Sequence, residues 1–150
     1  MSKEELAVSY FKSGYNCAQA VLLSFADELS IDKEFIAKIS SSFGGGMGRL
    51  REVCGAVSAM FMVAGALYGN YDPLDNVAKA QHYALIQDLA KQFKEVSGSI
   101  ICREIINAQK IETHVPEQRN EEYYKKRISC VECVGLAAKI TEKLIKEKSL

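Results

Sequence analysis

Five cysteines, Cys17, Cys54, Cys102, Cys130 and Cys133, carry most of the chemistry available to this 150-residue chain. Cys17 follows Asn16, Cys102 lies three residues after Ser99, and Cys130 follows Ser129. Cys54 comes just after a glycine run. Asparagine and serine are favoured helix caps, so these four cysteines are expected in the first turn of four different helices. A helix start offers free N–H groups and partial positive charge. That setting is expected to lower the thiol pKa and hold a thiolate. A thiolate attacks disulfides, ligates clusters or binds soft metals. The competing reading is plain burial, because free cysteine packs as a small hydrophobe.

Cys130-Val131-Glu132-Cys133 is a Cys-x-x-Cys. The redox form of that motif normally sits beside a βαβ unit, and no strand pattern accompanies this one. On a helix the two sulfurs share one face, which suits two ligands of one metal. A zinc site usually needs a second close pair, and His82 and His114 lack ligand spacing. Gly44-Gly45-Gly46-Met47-Gly48-Arg49 lacks the Gly-Lys-Ser/Thr ending of a phosphate loop. Gly44, Gly45, Gly46 and Gly48 either let backbone approach a cofactor or let helices cross closely. Arg49 and Arg51 add positive charge there, and with Glu52 they are candidates for tuning Cys54, although a solvated ion pair is the commoner outcome. Tyr15, Tyr68, Tyr71, Tyr123 and Tyr124 form no helical stripe and read as edge-of-core residues. Neither a Ser-His-Asp order nor a paired-carboxylate signature is present.

The elements that must position these residues are helices. Leu6, Ala7, Tyr10 and Phe11 form an amphipathic face over Glu4–Lys12, ended by Gly14. Asn16 caps a helix from Cys17 to about Glu28, with Val21, Leu22 and Phe25 inward. Asp32 caps another that turns Phe35, Ile36 and Ile39 inward and ends near Phe43. After the glycine loop an apolar helix runs from about Val53 to Tyr68. Asp72-Pro73 reads as a helix start, with Leu85, Leu89, Phe93 and Val96 as the stripe and Gly98 as the stop. Ser99 restarts a short helix, 108–116 is a loop, and Glu117–Lys126 is charged and helical. Cys130–Lys148 closes the chain with Val134, Ala138, Thr141 and Ile145 on one face. The expectation is all-α: a single-domain multi-helix bundle over residues 1–150, with a Gly-rich loop before a central apolar helix.

Composition narrows the function classes. The chain has 48% apolar and 25% charged residues, which fits a globular domain rather than a disordered one. Nineteen basic and nineteen acidic side chains cancel, which argues against nucleic acid or an anionic membrane as the main partner. The apolar run Val53–Leu67 has 15 residues and contains Gly55, Ser58 and Gly65, short of the roughly 17–25 that a membrane span needs. Met1-Ser2-Lys3-Glu4-Glu5 has no apolar run behind it, so no signal peptide is read and the cytoplasm is the expected location. Structural disulfides are rare there, which leaves metal binding, redox chemistry or burial for the cysteines.

Several blocks together resemble a known family. They are Gly14-Tyr15-Asn16-Cys17-Ala18-Gln19-Ala20-Val21, Phe43-Gly44-Gly45-Gly46-Met47-Gly48, Cys54-Gly55-Ala56, Cys102-Arg103-Glu104, and Cys130 with Val134 and Ala137-Ala138. This order, from Gly14 to Ile140, resembles the C_GCAxxG_C_C family of redox-active proteins. The family's recurrent cysteines match Cys17, Cys54, Cys102 and Cys130. Cys133 then looks like an extra, where relatives commonly carry an aromatic. The final glycine of the family's Cys-Gly-Ala-x-x-Gly block is Ala59 here. Relatives are associated with oxidoreductase or transporter genes, and the module resembles part of split-Soret cytochrome c, which carries an iron–sulfur centre. No Cys-x-x-Cys-His is present, so covalent haem is not expected.

The resemblance implies a redox role, and three readings remain open. In the first, Cys17, Cys54, Cys102 and Cys130 meet as redox-active thiolates and ligate a [2Fe–2S] or [4Fe–4S] cluster in an electron-transfer protein or oxidoreductase component. Cys133 is a further candidate metal ligand in that reading. The second is a metal-free thiol–disulfide protein with Cys133 resolving Cys130. The third is a helical interaction module, or a structural zinc domain, with inert cysteines. A redox partner protein is expected, and the small-residue apolar helix is compatible with a homodimer.

Overall fold

Capping side chains start five of the helices in the computed structural model, which describes residues 1–108 and 113–150. Helix α1 (Lys3–Lys12) begins at Ser2, whose hydroxyl accepts from the Glu5 amide while the Glu5 carboxylate accepts from the Ser2 amide, both at 3.1 Å. The same reciprocal cap opens α2 (Cys17–Ser24). Asn16 Oδ1 accepts from the Gln19 amide at 2.9 Å, and Gln19 Oε1 accepts from the Asn16 amide at 3.0 Å. A kink at Phe25 separates α2 from α3 (Ala26–Leu29), so the helix expected to reach Glu28 is two pieces. Asp32 caps α4 (Lys33–Ser40), which passes through a 3-10 turn at Ser41–Phe43.

The glycine segment follows as α5 (Gly44–Met47), a turn whose Gly45 and Gly46 are left-handed. Next come α6 (Gly55–Tyr68), α7 (Asn76–Ser97), the single turn α8 (Cys102–Ile105), α9 (Glu121–Lys126) and α10 (Ile128–Lys148). Helix α6 lies at the centre, packed by α2, α10 and α7, and α1 lies across α2 and α10. Val57, Ala59, Met60, Val63 and Ala64 of α6 are fully buried among Val21, Phe25, Phe93, Val134 and Ala138. At the start of α6, Gly55 lets α2 approach closely, a Cβ there meeting Cys17 and Ala18, whereas Gly65 faces open space and Ala66 is exposed.

Among the described residues there is no strand. One isolated antiparallel bridge, Val53 to Ile101, joins the start of α6 to the start of α8. The Cys54 amide donates to the Ile100 carbonyl at 2.8 Å, and the Cys102 amide donates to the Glu52 carbonyl at 2.6 Å. A pairing this short leaves no alternation in the sequence. No helix of the described residues is long and apolar enough to cross a membrane.

Several sequence expectations need correction. The long helix begins at Asn76, not at Asp72-Pro73, because Asp75 caps it. Asp72 instead accepts from the Leu74 amide at 2.9 Å and forms a separate turn. Phe35 and Ile39 are exposed, and only Ile36 of that trio reaches the core. On α7, Leu89 and Phe93 are buried and Leu85 packs against the core, but Val96 is exposed. Part of the expected 108–116 loop, residues 109–112, lies outside the described residues.

Candidate functional site

The local chain explains each cysteine's place. Cys17 is the first residue of α2, fixed there by the Asn16–Gln19 cap. The same two side chains reach outward: Asn16 Nδ2 donates to the Ser41 carbonyl at 3.0 Å, and Gln19 Nε2 donates to the Ala37 carbonyl at 2.9 Å. They tie the Cys17 turn to α4. Cys54 occupies the cap position of α6 rather than its first turn. Cys102 opens α8, but Ile101 is the residue at the cap. Ser99 accepts from the Ile101 amide at 2.9 Å and donates to the Glu104 carboxylate, which braces the loop before α8. Arg127, not Ser129, precedes α10, so Cys130 is its third residue and Cys133 lies one turn on.

All five cysteines line one cavity of about 280 Å³. Cys17 and Cys133, 116 residues apart in sequence, meet here because four helix starts converge. Gly44, Gly45 and Gly48 are part of the wall, and Gly46 lies just behind it. A Cβ on Gly46 would sit 2.6 Å from Cys102 Cβ and 2.8 Å from the Glu52 amide nitrogen. One on Gly55 would sit 2.6 Å from both Cys17 Sγ and the Phe43 carbonyl oxygen. These glycines therefore act by close approach to the cysteine-bearing elements. Gly45, Gly46, Met47, Gly48 and Arg49 are consecutively left-handed, with φ between +61° and +69°. For Met47 and Arg49 that conformation costs about 1–2 kcal/mol each.

Guanidinium groups surround the sulfurs. Arg51 Nη1 donates to Cys102 Sγ at 3.6 Å. Arg49 Nε donates to the Thr113 carbonyl at 3.0 Å. Arg127 pairs with Glu117 at 2.9 Å. Arg119 stacks 4.6 Å from the Phe11 ring and 4.8 Å from the Tyr123 ring, while its Nη1 donates to the Phe11 carbonyl at 3.1 Å. Glu117 is the sole carboxylate on the wall among the described residues, against these four cations. Glu52 turns away to Arg103, at 3.2 Å. Arg119 and Arg127 on the wall are missed by the sequence reading, which takes Tyr123 as edge-of-core and passes over His114 for lack of ligand spacing. The Glu117–Lys126 stretch reads only as charged and helical, and its one clue to a buried side is the Tyr123-Tyr124 pair.

The thiols do not behave as helix starts alone predict. Burial pushes Cys17 up from 9.0 to about 12, and the neighbouring Cys54 adds to it. Amides of Gly45 and Ala18 favour the Cys17 thiolate but are outweighed. Cys130 is also pushed up to about 12, by burial first and then by Cys17, Cys54 and Cys102. Cys54 is raised well above 9.0, chiefly because its thiol is hydrogen-bonded to Cys133, with burial next. Burial raises Cys102, while Arg51 draws it back down. Desolvation in a shared, enclosed space thus exceeds the pull of the helix ends. Despite the four guanidinium groups on the wall, the balance at Cys17, Cys54, Cys102 and Cys130 favours the neutral thiol.

Among the described residues, no three of the histidines, cysteines, aspartates and glutamates are placed to share one metal ion. The family described as "Putative redox-active protein (C_GCAxxG_C_C)" matches residues 15–144. No curated protein and no solved structure matches the chain.

Proposed function

Because the chain belongs to the C_GCAxxG_C_C redox-active family, we propose that it is an electron-transfer protein whose cavity holds an iron–sulfur cluster on Cys17, Cys54, Cys102 and Cys130. The observation that carries this reading is the lining of one cavity by cysteines from four separate parts of the fold. The donor set fits the group. Four thiolates are what a [2Fe–2S] or [4Fe–4S] cluster takes. A cluster several atoms across accepts ligands from points set apart, whereas a single zinc ion needs them converged on one atom, and here they are not. When bound, the cluster supplies one-electron redox chemistry.

The chain's own residues have defined tasks in this reading. The wall cations Arg49, Arg51, Arg119 and Arg127 offset the negative charge of four thiolates. Arg51 donates directly to the Cys102 sulfur, and the amides of Gly45 and Ala18 favour charge on Cys17. Donors to sulfur favour the more negative, reduced state and so raise the reduction potential. Phe11, Ile105, Ile106 and Tyr123 supply apolar wall beside the sulfurs. An exchanging redox protein in the reducing cytoplasm is the partner this chemistry calls for.

The metal-free catalytic thiol reading has less support. A nucleophilic cysteine needs a lowered pKa and access, and these thiols are buried or half-buried with raised pKa values. The deciding experiment is iron, sulfide and zinc content, with a visible spectrum, on protein purified without oxygen. Near-stoichiometric iron and sulfide with a broad visible band are expected. Colourless protein that also fails reconstitution with iron and sulfide would overturn the reading, and zinc alone would replace it with a structural site.

A further inference from the structure

The cavity holds more positive charge than Glu117 balances. Arg51, Arg119 and Arg127 all line it, from the stretch after the glycine run and from the segment around α9. Burial raises the Cys102 thiol, while charge on both Arg51 and Arg127 draws it down. Burial raises Tyr123, while Arg119 and Arg127 draw it down. The three guanidinium groups therefore act on one shared space. Among the described residues their N–H groups are only partly used. Arg51 donates through Nη1 to Cys102 Sγ at 3.6 Å, a weak acceptor. Arg119 directs Nη1 to the Phe11 carbonyl at 3.1 Å and the Tyr124 hydroxyl at 3.4 Å. Arg127 gives Nη2 to Glu117. Each fork keeps further N–H donors. Arg51 and Arg119 have no carboxylate partner among the described residues. An ordinary thiol is neutral near neutral pH, so the cysteines of the metal-free chain do not supply the missing charge. Ser41, Gly48, His114 and Pro116 line the cavity and are exposed, which opens it to solvent.

We propose that the metal-free cavity binds a small tetrahedral oxyanion, of the sulfate or phosphate class, between Arg51, Arg119 and Arg127. Its oxygens accept from the guanidinium forks, which match such ions in shape and charge. Arg49 is not counted, because its Nε holds the Thr113 carbonyl. The oxyanion site stands apart from the cluster reading. One consequence rests on that reading: four cluster-bound thiolates bring their own negative charge into the same space, so the oxyanion leaves as the cluster loads.

The test titrates sodium sulfate calorimetrically into the reduced, metal-free full chain. One sulfate per chain should bind saturably. Arg51→Gln and Arg119→Gln should each weaken binding about tenfold or more. Lys143→Gln, which removes an exposed cation towards the C-terminal end of α10, should leave it unchanged. No saturable binding, or the same loss in Lys143→Gln, would overturn the site. Because Arg119 also holds Phe11, sulfate is added as well to isotope-labelled protein without substitutions. The side-chain Nε–H resonances of Arg51 and Arg119 should shift, and resonances that stay fixed while sulfate binds would overturn the placement. Iron and sulfide are then offered in sulfate, and in sodium chloride of equal ionic strength. Sulfate should lower uptake, and equal uptake in both salts would overturn the exclusion. If iron is taken up in neither salt, the cluster reading fails, while the titration still decides the oxyanion site.

Discussion

The two ends of the central helices obey different rules. Towards their interior, α6, α7 and α10 meet through Val63, Ala64, Phe93, Leu89 and Ala138, all buried in regular helix. At the starts of α2, α6, α8 and α10 the wall is sulfur, guanidinium and backbone, with a run of left-handed residues. Packing of apolar area holds the first region, and it tolerates hydrophobic residues of similar size. Close approach and hydrogen bonding hold the second. There a single methyl group meets a sulfur or a carbonyl at 2.6 Å. Different forces hold the two regions, and mutation should separate them.

The largest effect should come from the packed region. Phe93→Ala should cost about 3–5 kcal/mol in denaturant unfolding, while iron and sulfide bound per folded molecule stay unchanged. A fall in bound iron at full folding would show that the two regions are not separable. Gly46→Ala should cost about 2–4 kcal/mol, since it adds both a contact and a left-handed alanine. It should also lower iron uptake, because the new methyl displaces Cys102. Unchanged uptake would mean the glycine run serves packing alone.

pH should distinguish the regions next. In metal-free protein the folded thiols of Cys17 and Cys130 hold their protons above 9.0, up to about 12, where unfolded thiols have lost theirs. The unfolded state then binds fewer protons, so stability should be full below pH 9.0 and fall as pH rises towards about 12. Denaturant midpoints across that window would show the slope, and Cys17→Ala with Cys130→Ala should flatten it. Phe93→Ala should shift every midpoint and keep the slope. Smallest of all, Met47→Gly should stabilise the protein by about 1 kcal/mol through relief of its left-handed backbone, read as a higher melting temperature.

The same contrast governs what the sequence discloses. Apolar periodicity marks the packed region well: Leu89 and Phe93 on α7, and Val134, Ala138 and Thr141 on α10, lie inside as their spacing predicts. Exposed apolar residues such as Phe35 defeat it, because periodicity shows a face and not what covers that face. The cysteines are recognisable as types, and Asn16 as the cap beside Cys17. Their convergence depends on the 52–54 and 100–102 pairing, too short to leave a pattern. The sign of the thiol shifts is equally hidden, since a helix start is local and desolvation belongs to the whole cavity. Arg119 reads as a solvated charge until Phe11, more than a hundred residues away, supplies its ring and carbonyl.

The spread of the wall along the chain also sets an order in time. Cys17, Cys54 and Cys102 leave the ribosome well before Cys130, and the arginines at 119 and 127 emerge just ahead of it. Synthesis runs from the N-terminus, so the four-sulfur set exists only after Cys130 has emerged. A nascent chain paused before α10 would carry three thiols without their fourth partner. Of the elements that bring a cysteine to the wall, α10 is made last, and it closes the site.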